Sequence, residues 1–160
     1  MISTEIYWMK NYGIKILIIG IGNCGRADDA LGWAFIDEIK DNVPDNYDCE
    51  YKYQLQVEDA ELISRYDVVY FVDAHKEQFD KGYTWGEGYP IASHSFSTHE
   101  LDPGTVLYLS KNIYNKLPKS YILGISGVNF ELKIGLSDKA KENLSQALEF
   151  FNEKTLNLVT

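Results

Sequence analysis

Two cysteines, Cys24 and Cys49, in 160 residues exclude a disulfide-stapled secreted scaffold and read as reduced thiols. No run approaches the ~20 consecutive apolar residues a membrane span needs. The start, "MISTEIYWMKNYG", has no basic segment followed by an apolar stretch, so no signal peptide is expected and the cytoplasm is the expected compartment. Positive charge is also scarce: 15 Lys and Arg against 24 Asp and Glu give a net charge of −9. That field repels polyanions, so neither nucleic acid nor an anionic membrane is an expected partner. A protein, a small molecule or a cation is. Internal repeats, low-complexity tracts and linkers are absent too, so one domain is expected over residues 1–160, with its core at about 14–152.

What is present is an alternation of strand and helix signals. Ile14–Ile19 is a β-branched run closed by Gly20, a buried strand. Leu31, Ala34, Phe35 and Ile39 recur at helical spacing, which predicts an amphipathic helix from 29 to about 41. "YKYQLQV" from Tyr51 alternates like a strand, and "EDAELISRY" reads as a short helix. "DVVYFVDA" (67–74) is a second buried strand and ends on a carboxylate, Asp73. "GYTWGEGYPI", with its glycines and terminal proline, suits a sheet edge. Pro103 opens a helix capped by Asp102, and "SYILGIS" is a third apolar strand. Ser137 caps a last helix with Ala140, Leu144, Ala147, Leu148 and Phe151 on one face. The pattern predicts an α/β fold: an open, mostly parallel twisted sheet with helices on both faces, a three-layer sandwich.

Ligands of such sheets gather outside the carboxyl ends of the strands. Asp29 follows the first strand, Asp73 ends another, and His99 lies in a loop that should return to the same rim. Two carboxylates and an imidazole form a plausible site for a divalent first-row metal such as nickel or zinc. His75 and His94 are rival ligands that spacing does not exclude. Each residue also has a plainer role. Asp28 or Asp29 could cap the helix and complement its dipole, for about 1 kcal/mol, and one cap needs one aspartate. A carboxylate closing an apolar strand, as Asp73 does, costs free energy unless it is paired or working.

"GIGNCG" places Gly20, Gly22 and Gly25 at the spacing of a dinucleotide fingerprint. Two features argue against a phosphate there. "RADD" sets two anions where pyrophosphate would meet the helix. The acidic residue expected at the end of the next strand is missing from "YQLQV". Cys24 reads as a small loop residue. "GNCG" is also similar to the start of peptidyl-tRNA hydrolases, but their basic surface and following histidine are absent from "RADDALG".

Taken together, "ILIIGIGNCGRADDALGWAFIDEI" resembles the opening of the [NiFe]-hydrogenase maturation peptidases, with G-x-G-N, four residues, and D-[DE]-x-x-G. "VVYFVDA", "STHELDPG" and "GISGVNFELKIGLS" resemble that family's later segments, in order, over roughly 14–152. The resemblance implies a single α/β domain that removes a C-terminal peptide from a hydrogenase large-subunit precursor after nickel insertion. The nickel travels with the precursor, and zinc or cadmium could stand in for it. By position, the metal-contacting residues fall on Asp29, Asp73 and His99, with Asp29 and Asp73 also carried over as catalytic, and Asp28 is left as the helix cap. An aspartate acting as general base, or the metal lowering the pKa of water, would supply the nucleophile. The family's Gly-Gly-Thr stretch is replaced by "QLQVEDAEL", which leaves open a paralogue with another target. A non-hydrolytic nickel-dependent docking protein and a nucleotide-binding module are the alternatives, and the resemblance suggests a monomer or weak homodimer. Glu131 lies in the last segment with no role assigned.

Overall fold

The computed structural model describes residues 13–92 and 101–156. Its strands are apolar because they are buried on both sides. Strand β1 (Ile16–Ile21) is buried at every position, and β3 (Val68–His75) is buried from Val68 to Val72. A strand with no solvent-facing side needs a layer on each face, which a parallel sheet flanked by helices supplies. Together with β2 (Tyr47–Lys52), β4 (Tyr83–Glu87) and β5 (Lys119–Ser126), they form one five-stranded sheet of order β2-β1-β3-β5-β4. Only the β4–β5 pairing is antiparallel. Strand β5 therefore slots between β3 and β4, although β4 precedes it in the chain.

Side-chain alternation divides the core in two. Ile16, Ile18, Val68, Tyr70, Val72, Leu123 and Ile125 face a core completed by helices α1 (Leu31–Ile39) and α4 (Asp138–Phe151). Phe35, Tyr70 and Phe151 meet there edge to face, with both ring pairs 5.1 Å apart. Leu17, Ile19, Val69 and Phe71 face the opposite core, closed by α2 (Asp59–Ser64) and α3 (Pro103–Tyr114). The expected caps are in place. The Asp102 carboxylate accepts from Thr105 N–H at 2.7 Å, and the Ser137 hydroxyl accepts from Ala140 N–H at 3.1 Å. Among the described residues, no helix is long and apolar enough to cross a membrane.

Two local expectations are corrected. The second strand is Tyr47–Lys52 and not the alternating stretch after Tyr51. Its register pairs Tyr47 with Ile16 and Lys52 with Ile21, so β1 offers nothing to pair with beyond Lys52. Leu55, which looked like a strand residue, instead forms an isolated bridge to Leu101 and is buried. The first helix is also preceded by a 3₁₀ turn, Ala27–Ala30, which holds both aspartates.

Helix α1 sits directly on β1 because two glycines meet there. A Cβ on Gly20 would strike the carbonyl of Gly32 and the side chain of Ile36, and one on Gly32 would strike the backbone of Ile21. Gly20→Ala is expected to push α1 off the sheet and to cost about 1–3 kcal/mol. A urea melt with an unchanged midpoint would refute this account of the contact.

Candidate functional site

From β1 the chain runs out to β2 at the sheet edge, then returns to place β3 on the other side of β1. Strand order thus reverses between β1 and β3, and open α/β sheets bind ligands at the carboxyl end of such a reversal. Asp73, near the end of β3, stands at this point, and the 3₁₀ turn bearing Asp29 packs against the same strand. A cavity of about 260 Å³ opens there, lined by Ile21, Leu55, Asp73, Leu101, Asp102 and Pro103. One carboxylate oxygen of Asp73 accepts from the N–H of Ala74 at 2.8 Å.

The adjacent aspartates part ways. Asp28 is fully buried, and it is not the cap of its own helix, which corrects the expectation. Its carboxylate accepts from Val128 N–H (2.8 Å), Asn129 N–H (3.0 Å), Ser137 N–H (2.8 Å) and the Ser137 hydroxyl (2.7 Å). Burial opposes the charged form and is the largest single influence. The hydrogen bonds from Ser137, Val128 and Asn129 together outweigh it and hold the Asp28 pKa below the ordinary carboxylate value. Asp29 is half-buried instead, and one oxygen accepts from Asn23 N–H at 3.1 Å. Ala27, just before the pair, adopts a left-handed φ of 49°, which redirects the chain between Arg26 and Asp28.

The glycine-rich turn has no N–H groups to offer a phosphate at most of its positions. The N–H of Gly22 goes to Lys52, that of Asn23 to Asp29, that of Gly25 to the Asn23 side chain, and that of Arg26 to Asn23. Those of Ala27 and Asp28 go to Lys133 and Asn129, and that of Asp29 returns to Arg26. Gly22 is needed because a Cβ there would strike the Asp29 carbonyl. Close backbone packing therefore accounts for Gly20 and Gly22, whereas a Cβ on Gly25 would meet only the Asn23 side-chain oxygen.

The other candidates divide between described residues and residues outside them. His75 is exposed at the end of β3, where its Nδ1 accepts from Glu77 N–H at 3.0 Å. Glu131 and Cys24 are exposed. Cys49 is half-buried on β2, and burial pushes its thiol up to about 11, so it is a protonated thiol at neutral pH. His94 and His99 lie outside the described residues; His99 is two positions before Leu101, which lines the cavity. Among the described residues no three His, Cys, Asp or Glu side chains cluster closely enough to hold a metal. Asp29 and Asp73 are therefore two carboxylates at this edge without a third such group beside them among the described residues. Asp102 is the cavity residue that sequence reasoning assigned only to capping. Its position directly before Pro103, at the end of the histidine loop, was the available signal.

No family model and no curated protein matches the chain. Solved structures do. The hydrogenase maturating endopeptidase HybD from E. coli is 19% identical, with 88% of this chain and 91% of that one covered and a TM-score of 0.71. The [NiFe] hydrogenase maturation protease HycI from Thermococcus kodakarensis is 24% identical over 88% and 91%, at 0.65. The hydrogenase 2 maturation peptidase from a Thaumarchaeota archaeon is 19% identical over 91% and 99%, at 0.66. The fold is that of the [NiFe]-hydrogenase maturation proteases. In this maturation-protease fold the cavity at that edge draws its lining from the ends of β1 and β3, from Leu55 and from the start of α3.

Asp28→Asn would turn an amide N–H toward donors and is expected to cost about 2–4 kcal/mol, since each unsatisfied buried donor costs about 1–3 kcal/mol. Asp29→Asn should cost less than about 1 kcal/mol. Because the folded pKa of Asp28 lies below 3.8, its stabilisation is complete above that value and is lost as pH falls through the folded pKa. Urea melts between pH 2 and 7 should show this acid loss in the wild type and a weaker one in Asp28→Asn. Equal melts for Asp28→Asn and Asp29→Asn would contradict the division of roles.

Proposed function

We propose that this chain is a hydrogenase maturation endopeptidase, acting in the cytoplasm, that removes a C-terminal peptide from a nickel-loaded [NiFe]-hydrogenase large-subunit precursor. The observation that carries the proposal is the position of Asp73 in the wall of the cavity at the β1/β3 strand reversal, with Asp29 on the turn beside it. The fold shared with proteins named maturation proteases supports it. Nickel belongs to the substrate in this scheme, so the enzyme needs only part of a coordination sphere. Asp29 and Asp73 contribute carboxylate oxygens, His99 contributes an imidazole, and the precursor brings the remaining ligands. One oxygen of Asp29 has no hydrogen-bond partner among the described residues, which suits a metal contact. The attacking water would be activated either by an aspartate acting as general base or by the metal lowering its pKa.

Incubation with a nickel-loaded precursor followed by mass spectrometry tests the reaction. Loss of a C-terminal fragment is expected; a bound but intact precursor would identify a docking protein instead, and a thermal shift with NAD or ATP but not with nickel a nucleotide-binding one. Asp73→Asn should bind the nickel-loaded precursor ~10-fold or more weakly, as even changes behind the ligands weaken metal sites on that scale. Its urea melt should stay near-native. Weakened folding with unchanged binding would remove Asp73 from the site. Casein should not be cleaved, because specificity resides in the precursor's metal and folded body; robust cleavage by pure protein would contradict this.

A further inference from the structure

The loop from Gly127 to Leu136 carries two of the most exposed large apolar side chains in the described structure, Leu132 (78%) and Ile134 (90%), with Val128 also exposed. Slack does not explain that exposure. The loop is pinned at Gly127 by Gln78 (2.8 Å), at Val128 and Asn129 by the Asp28 carboxylate, and at Lys133 by the N–H of Ala27 (2.8 Å). A fixed apolar protrusion rimmed by charge marks a protein-binding surface.

The rim is cationic in an acidic chain. Arg26 and Lys133 are partners in an isolated parallel bridge, which brings the backbone positions of two exposed cations together. Lys76 lies over the ring of Phe130 in the same loop, 5.6 Å from its centroid. Among the described residues none of these three cations has an ion-pair partner. The exposed carboxylates of Glu77 and Glu131 are the acidic neighbours along the chain.

The geometry points to a docking surface for the precursor's folded body: an apolar segment packs over Leu132 and Ile134 and places a carboxylate between Arg26 and Lys133. The surface adjoins the candidate site, because Arg26 is three residues from Asp29 and on the same turn. It rests on the proposed function for the identity of its partner, and deepens it by naming what the peptidase grips away from the metal.

The test measures the affinity of the full chain for a purified nickel-loaded large-subunit precursor by calorimetry at low and high salt. The variants are Arg26→Glu/Lys133→Glu and Leu132→Ser/Ile134→Ser. Each should weaken binding at least about tenfold, the scale of losing anchor residues at an interface, with an unchanged urea midpoint. The charge-reversed variant should also lose the salt dependence of the wild type. Unchanged affinity in both variants would overturn the proposal, as would a wild type that does not bind the precursor. Dispersal of a homodimer with unaltered precursor binding would overturn it in favour of a second copy. A precursor bound through this surface yet left uncleaved would sink the peptidase reading and uphold the docking surface.

Discussion

A single carboxylate with no ion-pair partner among the described residues holds the candidate-site edge of this sheet together. Asp28 sits at zero exposure and is solvated only by hydrogen-bond donors, all from residues at least 100 positions away. The Ser137 hydroxyl donates to Asp28 while accepting from Ala140 N–H, so the anion polarises the cap that starts α4. The same contact fixes the 127–136 loop, and the backbone of Asp28 closes the ring by donating to Asn129. A neutral side chain would leave several donors buried and unanswered, a larger penalty than any single surface ion pair could offset.

This explains why two aspartates stand together. One anion is consumed inward by the scaffold, and that anchors the turn on which the other faces outward. Ala27, with its left-handed backbone, divides the turn between Arg26 at the surface and Asp28 in the core. The proposed chemistry uses Asp29 with Asp73 and His99, and it needs the turn beneath Asp29 to stay put.

Much of this was legible in the sequence because it is local. Burial on two faces makes β1, β3 and β5 continuous apolar runs, and Asp102 and Ser137 are caps recognisable from the residues that follow them. The placing of Asp29 after β1 and of Asp73 near the end of β3 follows from the general rule about strand termini. What escaped was long-range. The Asp28–Ser137 contact spans 109 residues and leaves no periodic trace, so Asp28 looked like a cap. The position of β2 is set by where β1 ends, which alternation around Tyr53 and Leu55 does not encode. Asp102 was read for its helix and not for the cavity it also lines.

The placement of β5 between β3 and β4 has a consequence for how the chain acquires its structure during synthesis. Strand β4 emerges from the ribosome before the strand it pairs with, since among the described residues its partner in the sheet is β5. Until residues 119–126 arrive, the Val68–Val72 edge of β3 is an uncovered row of apolar side chains and unpaired backbone groups, the kind of edge that recruits other chains. Ser137, needed to satisfy Asp28, arrives later still. The nascent protein therefore carries an open sheet edge from the completion of β3 at His75 until β5 is complete at Ser126.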